Sequence, residues 1–384
     1  MIEIKEVKTK KQIKEFIEFP LNLYKDNEFF VPPLYGDEKA MFKPSYNYYD
    51  QAEAVFYNAY KNGEIVGRIQ GILQFASNKK WNQKRVRFTR FDSINDQEVA
   101  NALFNAVETW AKQKGMNEVV GPLGFSDQER EGLLIEGFDE LATFEEQYNY
   151  DYYQKLIENC GYQKEVDWVE RQLRAPKQSD GRLERISSMM LEKYNLKVVT
   201  VKSVNKFLKL YGDAFFDIVE KTYAELYQTV PFTDRIKKQL IDSFKLVINP
   251  KFLIVIVDDN NKVVCFGFAI PSLSKAVQKS GGRLTLPTIF KILKAVRKPK
   301  VVDLAMVGVL PEYAMKGVSS ALFAFMLNAL KDNEVEYCET NLNLETNHKI
   351  QNQWKNFEGR LHKRRRSFKK SIYQKSVRKN AFYF

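Results

Sequence analysis

The sequence is poor in the residues that build metal sites and disulfide frameworks. Its 384 residues include only three cysteines and two histidines. Cys160, Cys265 and Cys338 lie far apart in the chain, without the short spacings of a zinc site or a disulfide-rich domain. We therefore predict no metal site, and the few scattered cysteines favour a reducing compartment.

Long apolar runs are missing as well. No segment approaches the roughly 20 apolar residues that a membrane-spanning helix needs. Residues 1–16 lack the apolar centre of a signal peptide. The hydrophobic fraction of 44% is nevertheless ample for a folded core. These features predict a soluble protein of the cytoplasm, long enough for two domains.

Positive charge is what the chain has in excess, with a formal net charge of +12. Such a charge attracts anions, which include phosphorylated cofactors, membrane surfaces and nucleic acids. The densest basic run covers residues 360–370, and two interpretations of it stay open. It is either a site for an anionic surface or nucleic acid, or a solvated edge strand in which Leu361 and Phe368 alternate with basic side chains. We favour the strand, so nucleic acid is not expected as a partner.

The order of predicted elements repeats in the two halves of the chain. The motifs Ala102-Leu103-Phe104 and Ala321-Leu322-Phe323 stand at the same place in the long helix of each half. The last helix of each half lies between an Asn and a Gly that are 12 positions apart, at Asn149 and Gly161 and again at Asn347 and Gly359. This repetition predicts a duplicated architecture.

Domain limits follow from the repeat. We predict a first domain over residues 1–174, a linker over 175–190 and a second domain over 191–384. An acidic insertion over residues 126–147 supplies the extra length of the first half. It either lies over the cleft between the halves, where it would favour a cationic acceptor, or serves as a packing arm.

A short loop in the second half has the features of an anion-binding site. A strand is predicted over residues 301–310 and a helix over 319–331, and the loop between them contains Gly317. The first N–H groups of a helix have no partner within the helix, and the helix dipole favours a negative charge there. The loop is therefore a candidate phosphate site.

Each half resembles a GCN5-related N-acetyltransferase (GNAT) domain, and the whole resembles bacterial proteins with two such domains in tandem. The second half carries the motifs: Val309-Leu310-Pro311 at the strand end, Gly317 and Ser319 in the loop, and Asn347 before the last helix. The resemblance implies an α+β fold in which each domain is a mixed, mostly antiparallel sheet flanked by helices.

The resemblance also implies acetyl-CoA or another acyl-CoA as a substrate, and an amine as its acceptor. The backbone of Val307 and Val309 would pair with the pantetheine arm, which Asn347 would also contact. Ala314 stands where the family usually has Gln or Arg, and Lys316 would supply the positive charge instead. The backbone N–H groups that would take the pyrophosphate belong to Met315, Lys316, Gly317, Val318, Ser319 and Ser320.

The first half departs from this pattern. The corresponding segment, residues 94–99, has no Gly and carries Asp96 and Glu98, whose charges would repel a pyrophosphate. We therefore predict one CoA site, in the second half.

Candidates for catalysis are fewer, because Trp354 stands where many family members have a Tyr acid. Tyr313 is a substitute, although packing is the simpler interpretation of its ring. A strand predicted over residues 336–344 would place Glu339, Asn341, Asn343 and Glu345 on one face, which is either an acceptor site or a solvated surface. Glu339 is the first candidate for the base and Asp303 the second.

These observations predict a CoA-dependent N-acyltransferase that transfers an acetyl or other acyl group to an amine. Two alternatives stay open: a catalytically inactive GNAT-fold protein that binds a ligand or a protein, and a protein that binds anionic surfaces through residues 360–370. The sequence identifies neither the acceptor nor the length of the acyl chain.

Overall fold

The computed structural model describes residues 1–144, 146–175 and 181–373. The strands are β1 Ile2–Glu6, β2 Ala52–Lys61, β3 Glu64–Gln74, β4 Arg85–Ser93, β5 Glu118–Gly121, β6 Leu133–Glu136, β7 Gln163–Arg174, β8 Lys197–Val199, β9 Leu253–Val257, β10 Val263–Pro271, β11 Val301–Val309, β12 Tyr337–Thr340, β13 Asn343–Leu344 and β14 Glu358–Ser371.

The helices are α1 Lys10–Leu23, α2 Tyr35–Ala40, α3 Phe75–Lys80, α4 Gln97–Gln113, α5 Tyr152–Asn159, α6 Arg182–Lys193, α7 Val204–Tyr223, α8 Asp234–Phe244, α9 Ser274–Val277, α10 Leu286–Arg297, α11 Pro311–Ala314, α12 Val318–Asp332 and α13 His348–Gln353. In the part of the chain described here, no helix combines the length and apolar character needed to cross a membrane.

The strands of the described chain join into one 14-stranded sheet that runs through both halves. The main path has the order β1-β2-β3-β4-β5-β14-β7-β12-β11-β10-β9-β8, with β6 paired to β14 and β13 paired to β7. Strand β14, from the end of the chain, therefore lies beside β5 of the first half. Strand β7, from the first half, lies beside β12 of the second. The two halves are interlocked by these strands.

The two long helices of the repeat form for the same reason. Helix α4 buries Val99, Leu103 and Val107 at helical spacing, and Asp96 caps its first turn by accepting a hydrogen bond from the Glu98 N–H. Helix α12 buries its Ala321-Leu322-Phe323 motif in the core of the second half. The predicted helices are thus confirmed, with ends shifted by one residue or so.

Three segments differ from the sequence prediction. Helix α6 begins within the segment predicted as a linker, whose residues 176–180 lie outside the described residues, and ends three residues beyond it. Helix α10 was not predicted. The single strand predicted over residues 336–344 is wrong, because the chain leaves the sheet after Thr340 and returns as the short β13.

The prediction of a solvated edge strand for the basic run is also wrong. Strand β14 lies between β5 and β7 and is not an edge strand, and its Lys and Arg side chains, some of them buried, are paired with carboxylates. The pairs are Arg360 with Glu140, Lys363 with Glu170, Arg364 with Glu345, Arg365 with Glu170, Arg366 with Asp167, Lys369 with Glu165, and Lys370 with Glu108. Basic and apolar residues alternate in the same way in a solvated edge strand and in an interior strand with paired charges, so the sequence could not distinguish the two. The positive charge of this run is neutralised within the fold.

The centre of this pairing is a fully buried ion cluster. Arg365 donates from Nε to Glu170 Oε1 at 2.6 Å, and Lys363 Nζ lies 3.2 Å from Glu170 Oε2. Burial alone would raise the pKa of Glu170, but the charges of Arg365 and Lys363 outweigh it and lower that pKa to about 2. The cluster joins β7 to β14, and so ties one half of the chain to the other.

The insertion over residues 126–147 packs against the same strand. Its β6 pairs with β14, and Thr143 Oγ1 accepts a hydrogen bond of 2.9 Å from Lys363. Glu146 is buried nearby, and its burial raises its pKa to about 8 even though Arg365 acts in the opposite direction. The structure therefore shows the insertion in the role of a packing arm.

Replacing Glu170 with Gln should strongly destabilise the protein. The change leaves Arg365 and Lys363 buried without their main counter-charge, which costs about 3–5 kcal/mol in comparable buried pairs. Urea unfolding measures the loss. The control is Asp242→Asn, which breaks an exposed pair with Lys238 and should leave the unfolding midpoint nearly unchanged. Equal midpoints for the two variants would contradict the role given to the cluster.

Glu146→Gln should alter how stability depends on pH. Because the pKa of Glu146 is about 8 in the folded protein against a usual 4.5, the folded state binds more protons between these values. The stability that Glu146 contributes is present in full below about pH 4.5 and is lost as the pH rises towards 8. As the pH rises from 4.5 to 8, the free energy of unfolding should fall more for the parent protein than for the variant. Parallel curves would show that Glu146 titrates normally.

Candidate functional site

A β-bulge in β11 creates the cleft on which the site is built. Phe268 of β10 pairs with Met306, and the next residue, Ala269, pairs with Leu304, so Ala305 is an extra residue in β11. Parallel pairing of β11 with β12 covers only Val301–Leu304. From Ala305 to Val309 the strand therefore has an open edge, and the two strands diverge there.

The open edge carries backbone groups that point into the cleft. Asn341 donates from Nδ2 to the Ala305 carbonyl at 3.0 Å and closes the base of the opening. Above it, the Val307 carbonyl accepts a hydrogen bond of 3.0 Å from the Tyr223 hydroxyl, and the Val307 N–H donates to the same oxygen at 3.3 Å. Val309 is two residues on and so points the same way as Val307. This is the edge that the sequence analysis selected.

The loop after β11 contains an additional turn of helix, α11. Gly317 then adopts a left-handed conformation, with φ of 71°, and precedes α12. The N–H groups of Val318 and Ser319 stand at the start of this 15-residue helix, whereas the Ser320 N–H is already bonded to the Gly317 carbonyl.

Lys316 is held beside this helix start by aromatic rings. Its Nζ lies 4.4 Å from the centre of the Tyr313 ring and 5.1 Å from that of Tyr194. Tyr313 is thus a packing partner of Lys316, while Met315 is almost fully exposed. The loop therefore holds a positive charge against two aromatic rings, on a residue two positions before the start of α12.

Two other positions from the sequence analysis have structural partners. Asn347 caps α13, since its Oδ1 accepts a hydrogen bond of 3.3 Å from the Ile350 N–H. Trp354 donates from Nε1 to Asn343 Oδ1 at 2.7 Å and packs edge-on against Phe323. Trp354 therefore stabilises the core.

The two faces of the sheet are distinguished by the helices that cover them. A Cβ on Gly267 would approach Leu322 of α12, and a Cβ on Gly308 would approach Ile218 of α7. Phe268 lies on the α7 face, where its ring packs against Phe215 and against Phe244 of α8. Residues on β11 change face at the bulge, because an extra residue reverses the alternation.

The two predicted carboxylates lie side by side on the α7 face. Asp303 pairs with Ile270 of β10, which lies on the same face of the sheet as Phe268. Asp303 also pairs with Glu339 across the parallel strands β11 and β12, so both carboxylates lie on that face. Asp303 is 8% exposed and Glu339 is 7% exposed. The alternative of a simply solvated face is therefore wrong. The predicted single face of four polar groups is wrong too, because Asn341 and Asn343 lie beyond the end of β12.

Two residues at the site were missed by the sequence analysis. His362 of β14 is buried, with Nε2 2.6 Å from Glu339 Oε2 and Nδ1 3.5 Å from Glu140 Oε2. Tyr223 reaches the β11 edge from the last turn of α7. Neither residue stands in a local motif, since strand β14 and helix α7 meet β11 and β12 only through the tertiary fold.

An apolar cavity lies on the same face of the sheet. It measures about 500 Å³, its open mouth included, and Lys245 is the one charged residue in its described lining. The main contributors are Phe207, Phe215, Phe244, Ile248, Phe268 and Met306. Met306 directly precedes Val307 in β11, so the cavity adjoins the open edge.

The corresponding place in the first half is arranged differently. The Asp96 carboxylate accepts a hydrogen bond of 2.9 Å from the Glu98 N–H at the start of α4, and it also pairs with Lys61 at 2.8 Å. A carboxylate thus caps the helix start in the first half, whereas the start of α12 has no side-chain cap.

Comparison with known proteins agrees with this architecture. No protein-family model matches the chain. Protein YghO of Escherichia coli is 25% identical over 376 residues, which cover 94% of each chain. A bacterial ceramide synthase of Caulobacter vibrioides is 24% identical over 341 residues, which cover 85% of each chain.

Among solved structures, a tandem GNAT protein from the clavulanic acid biosynthesis pathway superposes with a TM-score of 0.56 at 10% identity. The match covers 97% of this chain and 99% of that one. At so low an identity the likeness concerns the fold, and it extends over both halves. The chain therefore has the tandem GCN5-related N-acetyltransferase fold, with an α+β architecture.

Proposed function

We propose that this protein is a CoA-dependent N-acyltransferase that joins an acyl group to an amine. The observation that carries the proposal is the open edge of β11 at Val307, which lies between an anion-binding helix start and a buried pair of carboxylates. A thioester bound along this edge would meet both. The fold supports an N-acyltransferase, and the activity, the use of CoA, the acceptor and the acyl chain all belong to the proposal.

In this proposal an acyl-CoA lies along the diverging strands. The amide groups of pantetheine would pair with the backbone of Val307 and Val309, and the Tyr223 hydroxyl would give up its place on Val307. The pyrophosphate would bind the first N–H groups of α12, at Val318 and Ser319, beside the Lys316 ammonium. Ser320 contributes less, because its N–H is already bonded.

Acyl transfer from a thioester requires two proton movements. A neutral amine attacks the thioester carbon, an N–C bond forms and the C–S bond breaks. The amine proton would pass to Glu339, whose Oε2 lies 2.6 Å from His362 Nε2. Asp303, adjacent in register, would add negative charge that attracts a cationic amine. The backbone N–H groups near Val309 would stabilise the oxyanion.

Tyr223 is the better candidate for the acid that protonates the leaving thiolate. Its hydroxyl lies on the β11 edge, whereas the Tyr313 ring is engaged by Lys316. Burial raises the pKa of Tyr223, so its hydroxyl keeps its proton at neutral pH and can donate it. In this proposal the proton donor is on α7, and not at the position of Trp354, where many family members have a Tyr acid.

The acceptor class that fits best is a long-chain amine. The apolar cavity next to Met306 would hold an alkyl chain and leave the amino group near Glu339. One relative is named a ceramide synthase, and ceramide is itself an N-acylated lipid. Its similarity extends over 85% of this chain, so a lipid amine is proposed here as well.

An inactive, ligand-binding protein is the second candidate, and the observation that favours it is the use of Trp354 as a core residue. Turnover distinguishes the two. Release of free CoA with long-chain amines present supports the enzyme, whereas CoA binding without turnover on any amine tested supports the binding protein.

Ser319→Glu should weaken CoA binding at least tenfold, because it places a carboxylate among the N–H groups proposed for the pyrophosphate. The same charge favours the start of a helix, so folding should be unaffected or slightly improved. Titration calorimetry with acetyl-CoA and with a long-chain acyl-CoA measures the effect. Ser319→Gln is the matched neutral control and should bind nearly as well as the parent. Equal affinities for all three proteins would contradict the site.

Glu339→Gln should lower kcat by about 100-fold or more, in the range of lost general-base catalysis. Tyr223→Phe should also lower kcat, because the leaving thiolate loses its proton donor. The assay follows thiol release with a long-chain amine as acceptor. Glu336→Gln, at an exposed neighbouring carboxylate, is the control and should keep full activity. Unchanged kcat for Glu339→Gln would remove Glu339 from the mechanism.

A further inference from the structure

Helix α10 exposes apolar side chains on its outer surface. Leu286, Ile289, Phe290 and Leu293 follow the spacing of one helical face, and Leu286 is 74% and Phe290 70% exposed. Large apolar residues clustered in this way normally mark a surface that contacts another body. The inner side of the same helix holds it in place, since Ile292 and Val296 pack against the core.

The segment that contains α10 is basic throughout. Residues 272–300 include eight Lys and Arg residues and no Asp or Glu. Within the described chain, Arg283 pairs with Glu18 just before α10, and Lys300 pairs with Glu336 at the end of the segment. The contrast with β14 is clear, because each Lys and Arg residue of that strand has a carboxylate partner. The other basic residues of the segment form no ion pair within the described chain, so their charge is left for an outside partner; they are Lys275, Lys279, Lys291, Lys294, Arg297 and Lys298.

We propose that α10 attaches the protein to the surface of an anionic phospholipid bilayer. An exposed apolar face between basic side chains is the pattern of helices that lie in the interfacial layer of a membrane. The apolar residues would enter the acyl region while the lysines contact phosphate headgroups. A second copy of the chain fits less well, because a two-fold contact through α10 would bring two basic segments together.

The position of α10 relates this surface to the apolar cavity. Asn249 donates from Nδ2 to the Val296 carbonyl at 2.9 Å, which fixes the end of α10 beside the segment after α8. In that segment Lys245 and Ile248 line the cavity, as does Phe244 at the end of α8, and Leu246 is 77% exposed. The membrane-facing helix and the cavity wall are therefore neighbours. On the proposed function, a long-chain amine would pass from the bilayer to the cavity along this boundary.

Vesicle co-sedimentation of the full chain tests the attachment without any need for activity. The protein should sediment with vesicles that contain about 30% phosphatidylglycerol, less with pure phosphatidylcholine, and less again at high salt. Leu286→Ser/Phe290→Ser should reduce the bound fraction at least tenfold. Met189→Ser/Leu210→Ser, at exposed apolar positions elsewhere, should keep parental binding.

Two charge-reversal variants test the electrostatic part of the proposal. Lys291→Glu/Lys294→Glu should abolish the preference for anionic vesicles, whereas Lys11→Glu/Lys14→Glu on α1 should keep it. Failure of the parent protein to bind anionic vesicles overturns the proposal, and so does equal loss in the control variants. A dimer in sedimentation equilibrium that Leu286→Ser/Phe290→Ser dissociates would assign this face to a second copy instead. Vesicle binding without CoA binding would leave the attachment standing and reject the acyltransferase.

Discussion

The bulge at Ala305 is the constraint on which the site depends. One extra residue in β11 has two consequences. It ends the parallel pairing with β12 at Leu304, which opens an edge of backbone groups at Val307 and Val309. It also reverses the faces of the strand, so that Asp303 lies on the same side as the residues that line the cavity. A regular strand would have closed the cleft and placed the carboxylate among the residues that face α12.

The interlocked strands supply the rest of the site. Because β14 lies between β5 and β7, it brings His362 close to Glu339 of β12, the strand on the other side of β7. The buried ions around Glu170 hold β14 in this position, and the insertion of the first half supplies Glu140 and Thr143 to the same strand. The first half thus supports the chemistry by packing, while its own helix start is filled by Asp96.

Local patterns were sufficient to predict the long helices and the strand β11 with the loop that follows it. The helical spacing of Val99, Leu103 and Val107 and the strand–Gly317–helix order depend on neighbours in sequence, and both appear in the structure. The sequence could not predict the setting of β14, because paired and solvated basic residues have the same alternation. It missed His362 and Tyr223 for a related reason, since each reaches the site through contacts between residues more than 20 positions apart. It also missed α10, whose outward apolar face resembles a core-facing helix.

Amide hydrogen exchange with and without acyl-CoA tests the central claim most directly. The open edge of β11 and the start of α12 are proposed to hold the ligand, so exchange should slow in residues 305–320 when acyl-CoA is added. Residues 94–99 of the first half should show no change, because Asp96 occupies the corresponding helix start. Protection confined to the first half, or none in residues 305–320 at saturating acyl-CoA, would contradict the account.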